Sequence, residues 1–162
     1  MRFIHTADWH LGRLFFGRHL TDDQAHVLDE LVHLARDARA EAVVIAGDIY
    51  DRAVPPVEAV ELFDDTLSRL LLDEKIKVLY IAGNHDSAAR LGFGSRLLAG
   101  GGVFVAGQLQ ADAAPIVLDD AHGKVAFSLL PYMEPATVRF VYGEAAEELA
   151  GFDEATSFAV AR

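Results

Sequence analysis

The hydrophobic pattern changes period in regular steps along the first hundred residues. Residues 2–7 form an apolar run that predicts a strand. Thr21, followed three positions later by Gln24, has the form of a capping box and predicts a helix to about Ala40. Its inner face reads Ala25, Leu28, Leu31, Val32, Ala35 and Ala38, at helical spacing. Ala42–Ala46 is continuously apolar, as buried parallel strands are. Pro55-Pro56 suits the entry to a second helix with a stripe of Val60, Phe63, Leu67, Leu70 and Leu71. Ile76–Ala82 predicts a third strand, and residues 88–99 a shorter helix interrupted by Gly92 and Gly94.

The later pattern is different. Residues 103–106, 116–118 and 125–130 predict strands, the last two joined through the turn-rich segment 119–124. Residues 144–162 predict one final helix, whose Leu149, Phe152, Ala155 and Phe158/Ala159 would form an uncovered apolar stripe. The expected fold is α/β: a layered sandwich of mixed sheets flanked by helices, incomplete at the C-terminus.

With 162 residues and 52% apolar content, the chain can fill a core and is not a disordered tail. The absence of cysteine excludes disulfides, cysteine-based zinc sites and a thiol nucleophile. No apolar run is long enough to span a membrane, and no charged-then-apolar leader precedes Phe3, so no membrane partner and a cytoplasmic location are expected. The net charge of −11 argues against a general nucleic-acid binder. Arg13, Arg18, Arg52, Arg90 and Arg96 nevertheless fall near the residues considered next, and bound cations would reverse the local charge.

Three predicted strands end in chemically rich segments: Asp8-Trp9-His10, Gly47-Asp48-Ile49-Tyr50-Asp51 and Gly83-Asn84-His85-Asp86. Parallel strands of β-α-β units bring their carboxyl ends to one edge, where open α/β sheets bind ligands. The intervals from Asp8 to Asp48 and from Asp48 to Asn84 each fit one crossover. Carboxylate, carboxamide and imidazole together suit manganese, iron or zinc, and magnesium less readily. Asp8 and His10, two positions apart on an extended end, would point the same way. Asp-x-His alone is a common chance pattern, and Gly-Asp after a strand is commonly only a turn. The three segments in order, each at a strand end, are much more specific.

These segments resemble the signature of the calcineurin-like metallophosphoesterases: Asp-x-His, Gly-Asp-x-x-Asp, then Gly-Asn-His-Asp or -Glu. The stretches MRFIHTADWHLG, AGDIYDRAVPP and AGNHDS are most similar to the SbcD-type bacterial DNA repair nucleases. The resemblance is strong to about Ser87 and looser afterwards. It implies that Asp8 and His10 hold one ion, Asp48 bridges two, and Asn84 holds the second. It implies His85 as the catalytic acid or transition-state stabiliser, with Asp51 orienting its ring. Two divalent ions, manganese first, would be the cofactors. The implied partners are DNA, an SMC-like ATPase of the SbcC type, and a second copy of the chain in a homodimer.

The family pattern continues with a further histidine and then Gly-His-x-His, which complete both metal spheres. This chain has neither, and no histidine follows His122. The expectation is therefore the N-terminal part of a nuclease domain over residues 1–162, weak or inactive alone; a natural short protein with a degraded site is the alternative. Two other functions stay open: a phosphomonoesterase or small nucleotide phosphodiesterase, and an inactive interaction or dimerisation module.

Smaller candidates carry less. Arg13 and Arg18, in the loop after the first strand, could contact a DNA backbone or be merely solvated. Arg52 resembles a phosphate-binding arginine, although Ala53 stands where a glycine usually follows. Trp9 is expected to pack rather than stack on a base. His5 is expected to be a hydrogen-bonded core residue, His19, His26 and His33 a flank of the first helix, and His122 a turn residue.

Overall fold

The computed structural model describes residues 1–162. Its centre is a four-stranded parallel sheet of β1 (Phe3–Thr6), β4 (Ala42–Ala46), β5 (Lys77–Ile81) and β6 (Val103–Ala106), in that spatial order. Two short strands, β2 (Leu14–Phe15) and β3 (Arg18–His19), form a hairpin between β1 and helix α1 (Thr21–Asp37). Helix α2 (Val57–Ser68) continues through a π-helical turn at Arg69–Asp73 and returns the chain to β5. Helices α3 (Ala88–Leu91) and α4 (Ser95–Ala99) are separated where Gly94 turns left-handed, at φ 72°.

Alternation along the strands builds three layers. Val43, Ile45, Val78, Tyr80 and Val103 face one way and pack with Leu28, Val32 and Ala35 of α1 and Ala59 and Phe63 of α2. Ala42, Val44, Leu79 and Phe104 face the other way. They meet Ile116, Leu118 and Phe127 of the antiparallel hairpin β7 (Ile116–Asp120) and β8 (Gly123–Phe127). The central strands are therefore covered on both faces, which is why they read as unbroken apolar runs.

Several sequence expectations need correction. The Thr21/Gln24 capping box does not form: Leu20 is the N-cap of α1, without a side-chain cap bond. Gln24 instead reaches back to the loop after β1. His5 is exposed rather than buried: it lies on the edge strand β1, on the same face as the half-exposed Phe3. Val60 of the expected α2 stripe is exposed, and Ala59 takes the buried position.

Ahead of the final helix expected over residues 144–162 stand a first helix, α5 (Pro135–Tyr142), and a 3₁₀ turn at Gly143–Ala146, and the expected helix itself is confined to α6 (Phe152–Val160). Pro135 opens the first, and the chain breaks at Gly143, at φ 59°. The expected uncovered stripe is largely covered. Ala155 and Ala159 are buried with Leu109, Met133, Val138 and Ala146, and Leu149 and Phe158 pack against this second core. Only Phe152 of that set remains exposed.

Candidate metal centre

The β1–β4 ladder continues beyond the strands into the loops. Asp8 N–H donates to the Gly47 carbonyl (3.1 Å), His10 N–H to the Asp48 carbonyl (2.9 Å) and Leu11 N–H to the Ile49 carbonyl (2.8 Å). The chain stays paired while leaving strand geometry: Asp8, His10 and Asp48 have φ of 58°, 46° and 50°. Non-glycine residues held left-handed are uncommon and concentrate at functional sites. Asp8 and His10 thus converge through left-handed turns, not on an extended end.

The β4 and β5 exits touch through two glycines. A Cβ on Gly83 would fall 2.0 Å from Asp48 Oδ1, and one on Gly47 would fall 2.9 Å from Gly83 Cα. Only bare backbone permits this approach. Asp48 Oδ1 then accepts the His85 backbone N–H at 3.0 Å.

These constraints gather most of the predicted residues. His10 Nε2 lies 3.8 Å from Asp8 Oδ1 and 4.0 Å from Asp48 Oδ2. His10 Nδ1 lies 3.6 Å from Asp51 Oδ1, and the His10 and His85 rings meet edge to face at 4.8 Å. Ligand atoms of Asp8, His10 and Asp48 fall within 4.8 Å of one another, as do those of His10, Asp51 and His85. Asn84 joins Asp8 and Asp48 in the lining of an open cavity of about 410 Å³, to which Tyr132, Met133, Phe152 and Thr156 also contribute.

The donor set fits a divalent cation. His10 Nδ1 is buried with no hydrogen-bond partner, and Asp48 is almost completely buried among like charges. Buried carboxylates and an unpartnered imidazole are costly without a compensating charge, which a cation supplies.

Asp51 meets the His85 ring through its backbone. His85 Nδ1 donates to its backbone carbonyl at 2.9 Å, while its carboxylate faces His10 and Arg13. A carbonyl can only accept, so Nδ1 carries the hydrogen and Nε2 is left for substrate. That bond, with the carboxylates of Asp48, Asp51 and Asp86, holds the exposed His85 imidazole above its ordinary pKa against some desolvation.

Asp86 closes the third motif, and its residue type alone points to no particular role. Its carboxylate accepts the backbone N–H groups of Ile49 (3.1 Å), Tyr50 (2.9 Å) and Gly83 (2.9 Å). It therefore staples the β4 exit to the β5 exit. Gln24 similarly braces the first loop, donating to the Trp9 and His10 carbonyls and accepting from Gly12 N–H. Among the arginines, only Arg13 reaches the centre, 3.6 Å from Asp51 Oδ1. Arg18 is exposed and paired with Asp23, and Arg52 is exposed with no ion pair. Trp9 packs edge to face on Phe63 and donates to Thr6 Oγ1.

The model of the calcineurin-like phosphoesterase family matches residues 1–152. Over 148 residues the chain is 34% identical to the SbcD component of the nuclease SbcCD of Staphylococcus saprophyticus subsp. saprophyticus. That match covers 91% of this chain and 38% of the relative, so the chain spans less than half of that protein. The chain belongs to the calcineurin-like phosphoesterase family.

Proposed function

We propose that these residues form the metal-binding half of a DNA phosphodiesterase, in which two divalent ions, manganese foremost, support hydrolysis of duplex ends and single strands. The observation that carries this reading is the convergence of Asp8, His10, Asp48, Asp51 and His85 from three strand exits, with Asn84 in the adjoining cavity. Asp8 and His10 would hold one ion and Asn84 the second, with Asp48 shared between them. Ions bound there supply Lewis acidity toward phosphate oxygens and the attacking water.

The chain's own groups do the remaining work. Asp48 spans the site, one oxygen fixed by His85 N–H and the other turned toward His10. His85, held by the Asp51 carbonyl, presents Nε2 for a proton to pass to the leaving oxygen. The surrounding carboxylates favour the protonated ring that such a donor needs. Residues 1–162 constitute the N-terminal part of the nuclease domain in this reading, and Gly-His-x-His ligands come from elsewhere.

The same reading includes action in the cytoplasm on DNA with an SbcC-type ATPase, because the relative is one component of a nuclease named SbcCD. No helix is long and apolar enough to cross a membrane. A homodimer also belongs to it. The C-terminal stripe does not support that dimer, but Val54, Val60, Phe93 and Leu98 line one groove and are each exposed, a different apolar surface beside α2, α3 and α4.

The test is cleavage of labelled duplex DNA by a longer form that carries the downstream histidines. His85→Ala should lower turnover by about two to four orders of magnitude, the usual worth of a positioned acid, with metal occupancy nearly intact. Collapse of occupancy along with activity would make His85 a ligand instead. Cleavage of a small diester without cleavage of DNA would favour the nucleotide-phosphodiesterase alternative.

A further inference from the structure

Phe16 stands at the tip of the β2–β3 hairpin with φ 48° and 94% of its surface exposed. Both features oppose stability. A bulky residue is strained in the left-handed region, and a ring in water forgoes burial. A two-residue hairpin turn of this kind favours Asn-Gly, yet the sequence places Phe16-Gly17 there, with Gly17 also left-handed at φ 80°. Phe15 meets Phe16 edge to face at 4.5 Å, so the two rings form one exposed aromatic knob.

The root of this hairpin is fixed to the metal centre. Leu20 N–H donates to the Arg13 carbonyl, and Arg13 N–H to the His10 carbonyl, both at 3.1 Å. Gln24 clamps Gly12 and His10 from α1. Phe15 and Phe16 therefore follow within three residues of Arg13, whose side chain reaches Asp51 of the centre at 3.6 Å. Arg13 and Arg18 flank them, each already engaged by a carboxylate, Asp51 and Asp23.

We propose that the Phe15–Phe16 knob is a stacking platform for unpaired bases of a single-stranded nucleic acid whose phosphates enter the metal centre. The proposal rests on the phosphodiesterase reading above. Stacking suits this chain because its net charge of −11 makes phosphate attraction a poor source of grip. Every base has a π-face, so an aromatic platform holds strands without reading sequence. The two arginines then guide the backbone on either side of the rings.

The test is fluorescence anisotropy in manganese buffer with the 162-residue chain. The probes are a labelled oligothymidine of about 12 nucleotides, within the usual range for single-strand sites, and an abasic oligonucleotide of equal length and charge. The base-bearing probe should bind about 5- to 150-fold tighter, the range given by one stacked base. Phe16→Gly should abolish most of that preference while raising the melting temperature, because glycine accepts the left-handed turn without strain. Phe15→Ala should weaken it too, and abasic binding should be unchanged in both variants.

Equal binding of the two probes, or binding of neither, would overturn the proposal. So would a preference that survives Phe15→Ala and Phe16→Gly together. A variant that retains the preference but loses self-association would assign the rings to a second copy, and also overturn it. Manganese titration, run in parallel, keeps the two readings distinguishable. Normal metal and abasic binding without the base preference removes only the platform, whereas loss of metal binding removes the phosphodiesterase reading itself.

Discussion

Asp8, His10 and Asp48 occupy left-handed backbone conformations within a hydrogen-bonded ladder that keeps them there. Each such position costs on the order of 1–3 kcal/mol, so something must over-determine it. Asp86 is the main candidate, since one carboxylate collects three backbone N–H groups from two strand exits. Asp86→Ala should destabilise the fold by about 1–3 kcal/mol, the cost of leaving such donors without their charged acceptor. Asp86→Asn, which keeps one acceptor oxygen, should lose less. Chemical denaturation of both variants measures this, and an Ala variant as stable as wild type would show that the staple is dispensable. The residue types of the centre are legible in the sequence because Asp, His and Asn are conspicuous in apolar strand exits. Asp51's use of its carbonyl is not legible, because a backbone contact leaves no mark on side-chain pattern.

At the scale of elements, the parallel core is readable because both faces of its strands are covered, giving continuous apolar runs. Two kinds of element are not. The β2–β3 hairpin is too short for periodicity and exposes Leu14, Phe15 and Phe16. The other is the C-terminal pair: α5 lies ahead of the expected helix, which itself starts only at Phe152, and Gly143 and Gly151 mark the end of one and the start of the other. Glu154 secures the start of α6 by accepting the N–H groups of Ala150 and Gly151, which lowers its pKa. A carboxyl depressed in the folded state stabilises above its unfolded pKa, and that contribution disappears as pH falls through the folded one. The start of α6 should therefore fray on acidification below the ordinary glutamate range, seen as faster hydrogen exchange at Ala150 and Gly151. Glu154→Gln should remove that pH dependence; an unchanged profile in the variant would assign the fraying to another group.

At the scale of the whole molecule, an acidic chain concentrates its buried carboxylate and its unpartnered imidazole at one edge of the sheet. The apolar surface of Val54, Val60, Phe93 and Leu98 lies on other elements. If that surface joins two copies, light scattering should report twice the chain mass for wild type and a monomer for Phe93→Asp. A monomeric wild type would remove the dimer without touching the metal centre. The central claim, that the strand exits form a two-ion site bridged by Asp48, is tested most directly by calorimetric titration of manganese into wild type, Asp8→Ala, Asp48→Ala and Asn84→Ala. Binding by wild type is expected, with partial loss in the Asp8 and Asn84 variants and the largest loss in Asp48→Ala. Absence of binding by wild type, or an Asp48→Ala effect no larger than the other two, would contradict it.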